Sequence, residues 1–224
     1  MLLEWLSKSV AGGTQHSIKK HCDSEDICTP AGILWATVLC MRLIAGGVAM
    51  IGVECKSFTW VSWYSSQRHK NILGDDSRPF VQTGNVMAMW VGWVCFWLTA
   101  HGAFYMVENP STSILKKHPS FSILDKSVKQ TRVCTWLGAF DTKMANPKPV
   151  HLFTTAPVHV VKIHLKKKKP RKSSTNQKAW FKDDRGWVTG TARLTDTGVY
   201  PPQFGAAFAD MCEQLWLECM RPGM

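Results

Sequence analysis

The side chains in this sequence whose types and positions could support chemistry are Cys55 and the Glu108-Asn109 pair. Each follows a short apolar run. One residue separates the run 48–53 from Cys55, and the run 103–107 ends directly before Glu108. A thiol and a carboxylate held at one edge of a cleft would supply a nucleophile and an acid. Whether they meet depends on the elements that carry them.

Two segments of the chain repeat one pattern of a long apolar run, a glycine break and a short apolar strand that ends at a glutamate. The first comprises residues 31–44, Gly46-Gly47 and residues 48–53, and the second comprises residues 86–100, Gly102 and residues 103–107. The pattern predicts helix, strand, helix, strand. Because parallel strands of an α/β sheet end at a common edge, we expect Cys55 and a turn at residues 108–110 to face each other.

A membrane protein is the alternative interpretation of the same two segments, since each is long enough to cross a bilayer. Arg42 and His101 lie inside the runs, where a charged side chain would be costly. The glycines fall where a helix followed by a buried strand would need them. The alternative is therefore a two-span membrane protein with a basic soluble tail, and the folded α/β protein is the favoured interpretation.

The net charge of +11 is concentrated in one stretch of the sequence. Residues 162–172 contain seven basic side chains and no acid, so the rest of the chain carries only +4 (11 minus 7). Such a run is either a solvated loop or a binding segment for an anionic partner such as nucleic acid. The basic residues are Lys162, Lys166, Lys167, Lys168, Lys169, Arg171 and Lys172.

Eight cysteines occur without any Cys-x-x-Cys spacing, which argues against a zinc site. No metal is expected. The first six residues are too short a run for a secretory signal, so free thiols in a reducing compartment are expected. The predicted location is intracellular, either nuclear or cytoplasmic, with a membrane as the alternative.

The remaining sequence predicts four regions. Residues 1–25 are an irregular tail, and residues 26–160 are an α/β core whose first helix begins at Thr29-Pro30. Residues 134–140 and 150–154 are predicted strands of this core, and residues 56–79 a long loop. Residues 161–200 form a basic insertion or small lobe. Residues 201–224 carry an amphipathic helix with apolar side chains at helical spacing from Phe204 to Cys219.

The order of several short motifs resembles one enzyme family. The motifs are Asp26-Ile27, residues 53–58 around Cys55, Val107-Glu108-Asn109-Pro110, Gly138-Ala139-Phe140 leading to residues 148–153, and Tyr200-Pro201. In this order they resemble a degenerate, truncated cytosine-5 DNA methyltransferase, as in phage-type members and uncharacterised protist relatives. The resemblance spans residues 26 to 212 and depends on order rather than on one long motif.

This resemblance implies a truncated class I methyltransferase-like, Rossmann-type sheet with a small basic C-terminal lobe. It implies Cys55 as the nucleophile towards cytosine C6, Glu108 with Asn109 as the acid, and Asp26 as a contact to S-adenosylmethionine. DNA would be the partner, with its phosphates on the basic residues and its target base flipped out.

Two departures from the family pattern argue against a working enzyme. Glu54 replaces the proline that precedes the family's nucleophile, and its carboxylate opposes thiolate formation. No glycine-rich cofactor turn precedes Asp26. The sequence therefore predicts a vestigial or non-catalytic relative that uses S-adenosylmethionine only if active, and whose sheet a partner chain could complete.

Overall fold

The computed structural model describes residues 3–6, 15–18, 27, 29–53, 56–141, 147–170, 180–182, 184, 188–190 and 200–219. Its strands are β1 (Leu3–Leu6), β2 (Gln15–Ile18), β3 (Val48–Gly52), β4 (Phe104–Pro110), β5 (Thr131–Trp136), β6 (Pro149–Thr154), β7 (Trp180–Lys182) and β8 (Val188–Gly190). Its α-helices are α1 (Pro30–Met41), α2 (Trp63–Ser66), α3 (Pro79–Ala100), α4 (Pro119–Ser127), α5 (Val158–Leu165) and α6 (Pro202–Cys219). Short 3-10 helices span Trp60–Ser62, Leu115–Lys117 and Leu137–Ala139.

A mixed four-stranded sheet with the order β3-β4-β6-β5 forms the centre of the fold. Strands β3 and β4 are parallel, whereas β6 lies between β4 and β5 and runs antiparallel to both. The pairs β1-β2 and β7-β8 form two separate antiparallel ladders. The α/β class and the predicted order of helix, strand, helix, strand are confirmed by α1, β3, α3 and β4.

Helices cover both faces of the central sheet because its strands alternate apolar side chains between two cores. Ala49 and Ile51 of β3 point into a core with α1, α3 and α4. Val48 and Met50 point into the other core, with α5 and α6. The described fold therefore has three layers, with the sheet in the middle.

The N-terminus of α1 follows the prediction from its sequence. Thr29 Oγ1 accepts a hydrogen bond from the Gly32 amide at 3.1 Å, and Pro30 occupies the first turn. Helix α3 begins at Pro79, seven residues before the predicted start, because Val81, Gly84 and Met87 continue its buried side.

Two predicted boundaries were wrong. Glu108, Asn109 and Pro110 are the last residues of β4 rather than a turn, since β6 pairs with the strand as far as Pro110. Lys162 belongs to α5 rather than to a basic loop, because Val160, Val161 and Leu165 bury one side of that helix. The loop predicted at residues 56–79 contains a 3-10 helix and α2.

The two apolar runs do not continue through their glycines. Helix α1 ends before Gly46 and α3 ends before Gly102, and both glycines have left-handed backbone angles, φ +82° and +75°. In the described part of the chain, no helix has both the length and the apolar character that crossing a bilayer requires.

Candidate functional site

A buried carboxylate, an ammonium group and a phenol meet at the carboxyl end of β4. Glu108 is 3% exposed. Its Oε2 accepts a hydrogen bond of 2.8 Å from the Tyr200 hydroxyl, and its Oε1 lies 3.6 Å from Lys148 Nζ. The Lys148 ammonium also lies over the Tyr200 ring, 5.8 Å from its centroid. These three residues are the Glu108 cluster.

Three separate elements position the Glu108 cluster. Strand alternation directs Glu108 to the side of the sheet that α6 covers, like Met106 two residues before it. Tyr200 stands just before α6 and stacks on Phe204, with ring centroids 5.5 Å apart. Since burial without partners would be costly, the lysine and the phenol allow the carboxylate to be buried.

Lys148 adopts a backbone conformation that is unusual for a residue with a side chain. Its φ is +32°, and it stands between Pro147 and Pro149. The carbonyls of Pro147 and Lys148 accept hydrogen bonds from the amides of Gly138 and Leu137, which hold this turn against the end of β5. Local strain of this kind persists only where the surrounding structure fixes it, and here it accompanies placement of the ammonium at Glu108.

The predicted catalytic residues divide between the two faces of the sheet. Asn109 follows Glu108 on β4 and therefore projects to the opposite face, where its Nδ2 is buried and has no hydrogen-bond partner among the described residues. Glu108 pairs with Gly52 in the register of β3 and β4, so the ends of both strands share one edge. Cys55, predicted to follow that edge, lies outside the described residues, as does Asp26.

A buried arginine organises the segment that follows β3. Arg68 is 4% exposed and stacks on Phe58, 3.7 Å from the ring centroid. It donates hydrogen bonds to Ser57 Oγ at 3.0 Å and Asn85 Oδ1 at 2.9 Å, and to the Ile72 carbonyl. Burial lowers the pKa of Arg68 to about 10, against a smaller opposing effect of Asp76. This guanidinium ties the start of the long loop to α3.

His118 also contacts Phe58 and is buried. Its ring meets Phe58 edge-on at 6.0 Å, and its Nδ1 is 2.8 Å from Ser120 Oγ. Burial, and to a lesser degree the charge of Arg68, lowers the pKa of His118 to about 4. The imidazole is therefore neutral at physiological pH.

A second group of polar residues lies on the sheet face that carries Asn109. His151 pairs with Asn109 on one side and with Cys134 on the other. The pKa of His151 is lowered, first by burial and then by Arg132 and Lys116. Beside this row lies a cavity of about 270 Å³, lined by Lys116, Phe121, Asp125, Gln130, Arg132 and Phe153. Among the described residues, no group of three or more His, Cys, Asp or Glu side chains could hold a metal ion.

The described part of the basic run is fixed to the end of β5. The Lys167 amide donates a hydrogen bond of 3.0 Å to Thr135 Oγ1. Two ammonium groups lie over aromatic rings, each 5.6 Å from a centroid: Lys167 over Phe140 and Lys169 over Trp136. Lys162 and Lys166 to Lys169 are exposed, whereas Arg171 and Lys172 lie outside the described residues.

Three comparisons, with models of protein families, with curated proteins and with solved structures, found no match for this chain. Of the sites described above, sequence reasoning identified Glu108 and the lysines. It missed the partners of Glu108 and the buried guanidinium of Arg68. The dipeptides Lys148-Pro149 and Tyr200-Pro201 stood out in the sequence, but their distance along the chain from Glu108 gave no indication that they contact it.

Proposed function

We propose that this chain is a non-catalytic, cytosine-5 DNA methyltransferase-like protein that binds DNA through its basic residues. It combines a scaffold with a binding surface for DNA. The observation that carries the binding surface is the row of exposed lysines from Lys166 to Lys169, fixed to the end of β5 through Thr135.

The lysine row is suited to a polyanion because it combines four exposed positive charges with the partly exposed ring of Trp136. Residues 158–170 contain no acidic side chain, so no neighbour in this stretch neutralises the four ammonium groups. The rings of Trp136 and Phe140 lie beneath two of them. Lysines bind backbone phosphates irrespective of base sequence, and the partly exposed ring of Trp136 offers a surface on which an unpaired base can stack.

The topology of the sheet supports the scaffold part of the proposal. Two parallel strands that end at one edge, followed by a hairpin whose second strand inserts antiparallel beside them, are compatible with the second half of a class I methyltransferase sheet. Helices α1, α3 and α4, which precede or follow these strands, all lie on one face.

The Glu108 cluster supports the absence of catalysis. In the resemblance, Glu108 would serve a cytosine ring, but here its carboxylate is buried and engaged by Lys148 and Tyr200. Because Glu108 is buried against Lys148 and Tyr200, this carboxylate does not fit as a seat for S-adenosylmethionine. This edge of the sheet serves as a structural centre.

The binding surface is tested by the salt dependence of DNA affinity, measured by fluorescence anisotropy with a short labelled duplex. The variant K166Q/K167Q/K168Q/K169Q removes the lysine row. The logarithm of the binding constant falls with the logarithm of salt by about 0.9 per neutralised phosphate, so four contacts contribute a slope of about 3.6. We expect the variant to lose most of that slope.

The matched control is K116Q/K117Q/K126Q/K129Q, which removes four exposed lysines around α4 and the same total charge. We expect this control to bind DNA with nearly the slope of the unmodified chain. If the two variants show equal salt dependence of the binding constant, DNA binding depends on net charge alone and not on the lysine row, which would overturn the proposal. Unchanged binding in the lysine-row variant would also overturn it.

A further inference from the structure

The outer side of the layer formed by α1 and α3 carries a large exposed apolar surface. Seven bulky side chains on these two helices are 39% to 66% exposed, although both helices also bury their opposite sides in the core. We call this surface the apolar face, and its members are Leu34, Trp35, Val38, Met41, Val86, Met89 and Trp93. Surfaces of this kind on soluble domains mark interaction sites.

The two helices present one continuous face because they pack side by side on the sheet. Both contribute to the same core, and the Trp90 indole on α3 donates a hydrogen bond of 3.0 Å to Thr37 Oγ1 on α1. Residues 34, 38 and 41, like residues 86, 89 and 93, recur at helical spacing. The exposed sides of both helices therefore point away from the sheet together.

We propose that the apolar face is the interface of a symmetric homodimer. Seven side chains with roughly 200 Å² each, about half of it exposed, offer on the order of 700 Å² per copy. Two copies would bury about 1,400 Å², within the range of about 1,200–2,000 Å² for specific interfaces. Tryptophan and methionine, which supply four of the seven side chains, are enriched in such interfaces.

The distribution of charge favours a second copy over a lipid surface. Neither α1 nor α3 contains an Asp, Glu, Lys, Arg or His residue, so two copies can meet without opposing like charges, despite +11 on each chain. Helices that lie on membranes carry lysines and arginines beside their apolar stripe, and these two helices carry none. A face that is apolar on both sides of the contact is self-complementary, as a twofold interface requires.

Sedimentation velocity over a hundredfold range of protein concentration tests this proposal. We expect the unmodified chain to form a species of 50.4 kDa, twice 25.2 kDa. The variant L34D/M89D places two carboxylates on the apolar face, and burying them should raise the dimer dissociation constant by at least about 100-fold. Because both positions are exposed, the far-UV circular dichroism spectrum should not change.

The matched control is I163D/L217D, which makes the same kind of change at exposed apolar positions of α5 and α6, on the other side of the sheet. It should remain dimeric. The uncharged variant L34Q/M89Q, expected to weaken the dimer less than L34D/M89D, separates loss of apolar contact from charge repulsion. Persistence of the 50.4 kDa species in L34D/M89D would overturn the proposal.

Two further results would contradict a homodimer. One is an unmodified chain that sediments at 25.2 kDa throughout the concentration range. The other is a 25.2 kDa chain that binds neutral phosphatidylcholine vesicles through the apolar face, which would assign that face to lipid. Salt separates this proposal from DNA binding: higher salt screens repulsion between the two chains and should preserve or strengthen the dimer, whereas it weakens DNA binding.

Discussion

Replacing Glu108 by glutamine tests whether the Glu108 cluster stabilises the fold. Glutamine keeps the shape of the side chain and an oxygen that can accept the Tyr200 hydrogen bond, but it removes the charge that faces Lys148. The ammonium then loses a partner 3.6 Å away while it stays largely buried, with 17% of its side chain exposed.

The expected loss is smaller than for a fully buried ion pair, because water still reaches part of Lys148. Removing one partner of a fully buried pair costs about 3–5 kcal/mol, and an ordinary charged hydrogen bond contributes about 1.5–3 kcal/mol. We expect E108Q to lower the free energy of unfolding by about 2 kcal/mol. For a chain of this length, that corresponds to a fall in Tm of roughly 4–8 °C.

Urea denaturation of E108Q, K148M and the double variant E108Q/K148M measures the coupling between the two residues. The loss in the double variant should be smaller than the sum of the two single losses, with a difference of about 1–2 kcal/mol. D210N is the matched control, since it converts an exposed carboxylate on α6 to an amide, and it should change stability by less than about 0.5 kcal/mol. If E108Q behaves like D210N, or if the single losses add, the charge pairing in the cluster does not stabilise the fold. Under conditions in which E108Q remains folded, its affinity for DNA should equal that of the unmodified chain.

Three further predictions concern the buried groups. The pKa of His118 is lowered from 6.5 to about 4, so the folded chain holds the neutral ring, and the stability this contributes is present above pH 6.5 and is lost as the pH falls towards 4. The free energy of unfolding should therefore fall between pH 7 and pH 4.5 by on the order of 2 kcal/mol more in the unmodified chain than in H118N, which keeps a capping side chain. An equal fall in both chains would contradict this. R68M removes the hydrogen bonds to Ser57 and Asn85, and urea denaturation should show a free energy of unfolding lower by about 2–4 kcal/mol. R42M, at an exposed site, should have little effect. Similar small losses for both variants would show that the Arg68 guanidinium is not an anchor. Mass spectrometry after brief alkylation of the folded chain should find Cys134 and Cys219 modified. Cys40 and Cys95 should be protected by burial, which also raises the pKa of both thiols. Modification of all four cysteines at similar rates would refute the described packing.

The elements that the sequence predicted well are those whose cause is local. Thr29-Pro30 begins α1 because capping needs only residues within one turn, and Phe204, Phe208 and Met211 predict α6 because one buried stripe sets its period. The parallel pair of β3 and β4 follows from the helix between them. These features depend on neighbours in sequence, so periodicity and caps suffice to find them.

The features that the sequence did not predict depend on distant residues. Glu108 at the end of an apolar strand indicated a site, but its partners come from a turn 40 positions later and a helix start 92 positions later (148 minus 108 and 200 minus 108). Pro110 suggested a turn because proline lacks an amide hydrogen, yet it ends β4 opposite Val150. Arg68 lies in a polar stretch that gave no sign of burial. Such contacts arise from topology, which local patterns do not encode.

The position of α6 in the sequence has a consequence for how this chain folds during synthesis. One side of the sheet depends on Phe204, Phe208 and Met211, which are made after all four strands of that sheet, and Tyr200 reaches Glu108 only at that stage. Until these residues leave the ribosome, the nascent polypeptide exposes an apolar sheet surface. The Glu108 carboxylate also still lacks its hydrogen bond from the Tyr200 hydroxyl. Contacts of such long sequence separation form slowly, so chaperone demand should be greatest between the synthesis of β6 and the synthesis of α6.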